Sequence, residues 1–265
     1  MQRLSETERQ IAAGLNNAEA FHLQVFDTVT STNDLLREAA GSGAPEFTAF
    51  LAKEQTAGRG RQGRAFYSPQ HTGLYLSLLL RPTFAAEALL RLTPMAAVAA
   101  AQAVEQCSGE QVEIKWVNDL LLRNKKICGI LAETSFSQTG TPDYAVIGIG
   151  INLTEPDGGF PEPIRRIAGA VFPSGTDADA AFVRMGAALL NALPAEYEGL
   201  PFRRYLTGYR DRLCVLHRPV TVLENGTERN AVVLDTDDDL RLLVRYDDGT
   251  VQWRATGEIR LRLHP

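Results

Sequence analysis

The stretch Gly58-Arg59-Gly60-Arg61-Gln62-Gly63-Arg64, followed by Phe66-Tyr67-Ser68-Pro69 and then by the apolar run Gly73 to Leu80, decides between fold classes. Its three glycines satisfy the spacing of a dinucleotide-binding turn, but that turn opens a helix, and here the chain goes on into a strand. The glycines also have P-loop spacing, yet Arg64 and Ala65 stand where that loop needs a lysine and a hydroxyl for phosphate and magnesium. Neither a Rossmann site nor a P-loop NTPase is expected. What remains is a flexible loop with three guanidinium groups and main-chain amides that glycine leaves unshielded. Arginine pairs with phosphate oxygens bidentately, and glycine lets the backbone close over them. By itself the loop reads either as a polyphosphate or nucleotide site or as a solvated arginine-rich turn.

Upstream, Ser31 or Thr32 caps a helix over Asn33 to Ala40 with Leu35, Leu36 and Ala39 on one face, and Phe47 to Lys53 reads as a strand. Downstream, Thr93-Pro94 reads as the N-cap and first position of an alanine-rich helix that reaches about Cys107 and stops at Gly109. Such a helix suits close packing on a sheet. In Val112 to Trp116 the apolar residues alternate with Glu113 and Lys115, so Lys115 points away from the apolar layer. Leu120 to Leu122, a turn at Arg123 to Lys125, and Ile127 to Thr134 form a predicted β-hairpin. Tyr144 to Leu153 is a further strand, in which Gly148 and Gly150 mark places where a ligand or a second backbone approaches closely. A Pro/Gly-rich loop, Thr154 to Thr176, precedes helices at Ala178 to Leu193 and near Pro201 to Arg212. After Cys214 the texture changes to short β-like runs with turns at Asn225-Gly226, Asp237 to Asp239 and Asp248-Gly249. The chain is thus expected to divide into residues 1–213 and a small all-β module, 214–265.

With 265 residues, 45% of them hydrophobic and 22% charged, the chain has enough apolar surface for a sizeable core. It has no apolar run of the roughly 18 residues that a membrane span needs, and Met1 to Gln10 does not read as a signal peptide. A cytoplasmic protein with no membrane partner is expected. Cys107, Cys128 and Cys214 are widely spaced and odd in number, which fits neither a disulfide framework nor a zinc site. The net charge of −5 gives no globally basic surface, so any anion site is local. Lysine occurs only at Lys53, Lys115, Lys125 and Lys126 in a chain otherwise rich in arginine. Lys115, before the Asn118-Asp119 turn, is either a solvent-facing strand lysine or a charge that lets two anions approach each other. His22, His71, His217 and His264 have no evident partner acid, and Cys128 has only Lys125 and Lys126 nearby to favour a thiolate.

Five stretches carry a resemblance: Ser31-Thr32-Asn33, Glu54 to Arg64, Lys115-Trp116-Val117-Asn118-Asp119, Lys126 to Leu131, and Gly148-Ile149-Gly150-Ile151-Asn152. In this order and at this spacing the chain resembles the biotin protein ligases from about Phe26 to its C-terminus. The resemblance implies an α+β fold, a mixed β-sheet with helices packed on one side, and a small C-terminal SH3-like β-barrel. It implies activation of biotin by ATP with Mg²⁺ to biotinyl-5′-AMP, release of pyrophosphate, and transfer of biotin to one lysine of a biotin carboxyl carrier domain of acetyl-CoA carboxylase or a related enzyme. Ser31, Thr32, Asn33, Gln55, Arg59, Gly60, Arg61, Lys115 and Gly129 then contact biotin. Arg59, Arg61, Arg64, Phe66, Lys115, Asn118 and Asn152 serve ATP, and Lys115, Arg61 and Arg64 carry the catalytic charge. No protein-held metal is expected. Two departures stand out. Val117 replaces the usual proline, which implies a looser turn after Trp116, and Phe66 replaces the usual tryptophan, which implies a smaller apolar lid. Only Met1 to Phe21 precede the ligase-like region, and the chain is acidic, so DNA binding is not expected. A lipoate ligase or octanoyl transferase of the same fold is the nearest alternative, a non-catalytic binding module is a third, and a homodimer is left open.

Overall fold

The computed structural model describes residues 4–224, 226–255 and 258–261. Ser5 opens α1 (Glu6–Ala13) through a capping box with Glu8, whose other oxygen accepts the Val25 amide of the first strand. β1 (His22–Val29), α2 (Thr32–Gly41), β2 (Thr48–Gln55) and β3 (Gly73–Leu80) follow. Ser31 is the N-cap of α2, its hydroxyl accepting the Asp34 amide. α3 (Leu92–Ser108) continues directly from a 3₁₀ turn at Ala86–Arg91, so Thr93 lies inside the helix and is not its cap. Gly109 ends α3 in the left-handed conformation at φ 75°, as a C-terminal glycine does.

β4 (Glu113–Lys115), β5 (Asp119–Leu122), β6 (Lys125–Phe136) and β7 (Pro142–Asn152) complete a seven-stranded sheet of order β1-β2-β3-β7-β6-β5-β4. The hairpin predicted around Arg123 is there, with Arg123 and Asn124 both at positive φ in its two-residue turn. α4 (Glu162–Arg165), α5 (Ala178–Glu198) and α6 (Tyr205–Arg212) follow. α5 runs on through Pro194 instead of ending at Leu193. A proline there removes one intrahelical hydrogen bond, and the burial of Leu189, Leu190 and Leu193 against the core outweighs it.

β1 and β2 are parallel, whereas every other neighbouring pair of the sheet is antiparallel. A parallel pair needs a crossover connection, and α2 supplies it. The consequence corrects one expectation: the helices do not all lie on one side. Leu74, Leu76, Leu78 and Leu80 of β3 belong to the large core that holds the buried residues of α3 and α5. Leu79, on the other face, joins Phe50 and Val146 beneath Leu36 and Ala40 of α2. The alanine content of α3 fits its position, because Ala96, Ala97, Ala99, Ala100, Ala101 and Ala103 are wholly buried.

β8 (Pro219–Glu224), β9 (Thr227–Thr236), β10 (Leu242–Tyr246), β11 (Val251–Arg254) and β12 (Glu258–Leu261) form a separate antiparallel sheet of order β11-β10-β9-β8-β12. The turns at Asp237 to Asp239 and Asp248-Gly249 are present. Asn225 of the Asn225-Gly226 turn lies outside the described residues, as does His264. The two sheets share one core, and Trp116 Nε1 donates to the Leu240 carbonyl at 2.7 Å between them. No helix among the described residues is long and apolar enough to cross a membrane.

Candidate functional site

Strand register assembles the site from distant stretches of sequence. On the sheet face opposite α3 and α5, successive Cα partners run Lys115, Asp119, Gly129, Gly150, Tyr75, from β4 to β3. The next row holds Leu131, Gly148 and Ser77. The start of α2 and the 58–64 loop stand over these rows. Together they line a cleft enclosing about 170 Å³ that takes in Ser31, Thr32, Asn33, Gln55, Arg59, Gly60, Arg61, Arg64, Phe66, Lys115, Asn118 and Gly129. Of the expected site residues only Asn152 is missing from the wall. It sits at the end of β7, where its amide donates to the Gly169 carbonyl at 2.9 Å and ties down the Pro/Gly-rich loop.

One end of the cleft is lined by neutral side chains that hydrogen-bond to one another. The Thr32 amide and hydroxyl both donate to Gln55 Oε1, at 2.9 and 3.1 Å, and Gln55 Nε2 donates to Ser68 Oγ at 3.2 Å. Ser77, wholly buried, lies 2.8 Å from Thr32 Oγ1 and 2.5 Å from Asn33 Oδ1, while Asn33 Nδ2 donates to Glu133 Oε2 at 2.8 Å. A carboxylate accepts only, so Glu133 fixes which way the Asn33 amide points.

The glycines of β6 and β7 make room for side chains of this chain, not for a second backbone. A Cβ on Gly148 would stand 2.2 Å from Asn33 Oδ1, and one on Gly150 2.6 Å from the Phe66 ring. Gly129, the cross-strand partner of Gly150, also faces that ring, with a Cβ distance of 2.9 Å. Phe66 therefore rests over a paired gap in the sheet and meets Tyr75 edge-on at 6.4 Å between ring centroids.

The other end is cationic. Lys115 lines it, and so does Lys126, a residue absent from the site expected from the sequence. Lys126 Nζ is 2.7 Å from Asp119 Oδ1 and 5.9 Å from the Phe66 centroid. Strict alternation from Cys128 and Ile130 would turn Lys126 into the core. Instead the β5–β6 register slips between Leu120 and Leu121, leaving Ile127 as an extra residue and turning Lys126 to the cleft.

The arginine loop is a tight turn: Gly60 N donates to Arg64 O at 2.7 Å, and Gln62 and Gly63 have φ of 58° and 72°. Arg61 Nη1 donates to Asn118 Oδ1 at 3.0 Å, and Asn118 Nδ2 to Ile130 O at 3.1 Å. Arg59 reaches the other way, to Asp34 at 2.5 Å and to both oxygens of Glu133 at 3.0 and 3.2 Å. The Trp116–Val117 peptide is cis. The turn that Val117 was expected to loosen is held from both sides, by Trp116 on Leu240 and by the Tyr209 hydroxyl on the Val117 carbonyl at 3.3 Å. Ile259 of the C-terminal sheet also reaches the cleft wall.

His22, His71 and His217 are exposed and absent from the cleft wall. Cys128 is wholly buried on the core face, and burial pushes its thiol pKa well above the ordinary value, which disfavours a nucleophilic thiolate. Cys214 is pushed up to about 12 for the same reason. Among the described residues no three His, Cys, Asp or Glu side chains gather as a metal site.

Residues 25–152 match the model of the Biotin/lipoate A/B protein ligase family. The chain is 40% identical over 167 residues to the bifunctional ligase/repressor BirA of Bacillus subtilis, a match that covers 63% of this chain and 50% of that protein. The chain thus spans about half the length of that relative. To the bifunctional ligase/repressor BirA of Escherichia coli it is 31% identical over 265 residues, covering 96% of this chain and 77% of the other. A solved structure of the biotin protein ligase from Aquifex aeolicus in complex with biotin and ATP has the same fold, with a TM-score of 0.67 at 24% identity, covering 91% of this chain and 98% of that one. The cleft, the ordered motifs along its wall and these relatives agree that the chain belongs to the biotin protein ligases of the Biotin/lipoate A/B protein ligase family.

Proposed function

We propose that this chain activates biotin with ATP to biotinyl-5′-AMP, releasing pyrophosphate, and then transfers biotin to a lysine of a biotin carboxyl carrier domain. The observation that carries this reading is the polarity of the cleft, neutral and hydrogen-bonding at Ser31, Thr32, Asn33 and Gln55, cationic at Lys115, Lys126, Arg61 and Arg64. A small molecule with a neutral polar ring and a carboxylate tail fits that polarity. In the first step a biotin carboxylate oxygen attacks the α-phosphorus, forming an acyl phosphate bond while the bond to pyrophosphate breaks. Both reactants are anions, so positioning and charge neutralisation carry the rate. The two ammonium groups and the loop guanidiniums supply that charge, and magnesium arrives as part of the MgATP substrate. In the second step the uncharged amine of the acceptor lysine attacks the acyl carbon, AMP leaves, and the amine loses its proton. No covalent intermediate on the enzyme is needed.

In this reading Gly129 and the Phe66 ring border the biotin side, while Asn118, Phe66 and Lys115 border the nucleotide. Asn152, behind the wall, serves the ATP side by supporting the loop at Gly169. The acceptor belongs to acetyl-CoA carboxylase or a related biotin enzyme. Residues 214–265 form an SH3-like barrel beside a catalytic domain of residues 1–213, and the unpaired thiols suit the reducing cytoplasm. A homodimer at a sheet edge or sheet face is compatible with this arrangement.

The deciding experiment is titration calorimetry with biotin, alone and with MgATP, alongside a pyrophosphate assay. Tight binding and biotin-dependent pyrophosphate release are expected. A folded sample that shows neither, and binds lipoate or octanoate instead, overturns the reading. Arg61→Ala removes the bond between the loop and Asn118, so the adenylate is expected to escape and acylate bystander lysines. Mass spectrometry of an added non-acceptor protein reads this out, and an adenylate that stays bound counts against the role of Arg61.

A further inference from the structure

The charge of Arg59 is answered within the protein. One guanidinium nitrogen lies 2.5 Å from Asp34 and 3.0 Å from Glu133, and Arg37 adds a second cation at 3.4 Å from Glu133 and 3.7 Å from Asp34. Two carboxylates and two guanidiniums balance one another. Arg61 differs, because its partner at 3.0 Å is the neutral amide of Asn118. For Arg59 to neutralise an incoming anion it would have to leave two charge-assisted hydrogen bonds behind, and these are the stronger kind. Glu133 has a second task, since the oxygen nearest Arg59 also accepts from Asn33 Nδ2 at the neutral end of the cleft. Asp34 sits in the first turn of α2, directly after Thr32 and Asn33 of the cleft wall.

We infer that Asp34 and Glu133 are positioning residues, which latch the arginine loop through Arg59 and tie its closed position to the setting of Asn33. This rests on the biotin ligase reading above. Arg59 then acts through the two carboxylates, and the charge given to the substrates comes from Arg61, Arg64 and the lysines. Loss of either partner loosens the same latch. Adenylate leaves faster, and the KM for biotin rises because Asn33 loses its fixed acceptor, whereas kcat for adenylate formation changes less.

A double-mutant cycle on the full chain tests this. Arg59→Gln and Glu133→Gln are each expected to speed release of biotinyl-5′-AMP about tenfold, and the double variant about tenfold also, because the Arg59–Glu133 contact that holds the loop is already lost after the first change. Asp34→Asn, at a half-exposed helix start, gives the same result in smaller measure and guards against a folding defect at Glu133. Thermal melts of all variants are recorded alongside. Single effects that multiply to about a hundredfold would show that Arg59 has its own contact with the ligand and overturn the inference. Singles without effect on release would overturn it as well. Wild-type protein with no biotin-dependent pyrophosphate release would remove the ligase reading and this inference with it, whereas an active wild type with multiplying effects removes this inference alone.

Discussion

A Lys126→Met protein is expected to fold normally and to form biotinyl-5′-AMP about a hundredfold more slowly or worse, with a loss of the same order for Lys115→Met. In the proposed adenylation two anions meet in the cleft, whose cationic end Lys115 and Lys126 line from two different strands. Each ammonium stabilises charge that becomes more crowded as the reaction proceeds, so its loss falls on the rate more than on biotin binding. Lys126 carries an added penalty. Its removal leaves the Asp119 carboxylate, now 2.7 Å from an ammonium, as an unbalanced negative charge on the cleft wall. Lys126→Met with Asp119→Asn is therefore expected to recover part of the loss. Quenched single-turnover assays with labelled ATP measure the rate, and circular dichroism checks the fold. Either lysine variant running within about threefold of wild type would exclude that residue from the chemical step.

Gly148→Ala is expected to weaken biotin binding about a hundredfold, which is roughly 3 kcal/mol. The added methyl would lie 2.2 Å from Asn33 Oδ1. Asn33 is 5% exposed and held by Ser77 on one side and Glu133 on the other, so its side chain has no low-cost way to move aside. Calorimetry reads the affinity directly. Gly150→Ala is the natural contrast, since its methyl would push on the Phe66 ring, at 2.6 Å, and leave Asn33 alone. Normal biotin affinity in Gly148→Ala would mean that the Asn33 amide is not part of the binding surface.

How far these features were legible follows from what each depends on. β3, a cap of α2 at Ser31 or Thr32 and a hairpin turning within Arg123 to Lys125 depend on local pattern and turn chemistry, and all three are legible in the sequence; the structure sets the cap at Ser31 and the turn at Arg123-Asn124. β1 is hard to read because His22 to Val29 is an edge strand, exposed at four of its eight positions, whose alternation covers only His22 to Val25 and breaks at Phe26. α2 was expected beside the other helices because sequence shows that it is amphipathic but not which face of the sheet it covers. The parallel pairing of β1 with β2 decides that, and pairing is a long-range property. Lys126 was hidden by a one-residue register slip. Glu133 and Ser77 gave no signal at all: one reads as a strand glutamate, the other as a small polar residue in a leucine run. Their roles come from Asn33, distant in sequence and brought near by α2.

Strand β3 therefore carries two kinds of information written in alternate letters. Leu78 faces the core under α3 and α5, and its truncation to alanine is expected to cost about 2–5 kcal/mol of stability. Ser77, its neighbour, faces the cleft, and Ser77→Ala should leave a folded protein with poor ligand affinity. A residue-by-residue scan of Gly73–Leu80, scored separately for abundance and for turnover, would show the two phenotypes changing places at each step along the central residues of the strand. Selection for a steadier protein and selection for a different ligand would then act on interleaved positions of the strand, Leu74, Leu76 and Leu78 against Tyr75 and Ser77, with little mutual interference.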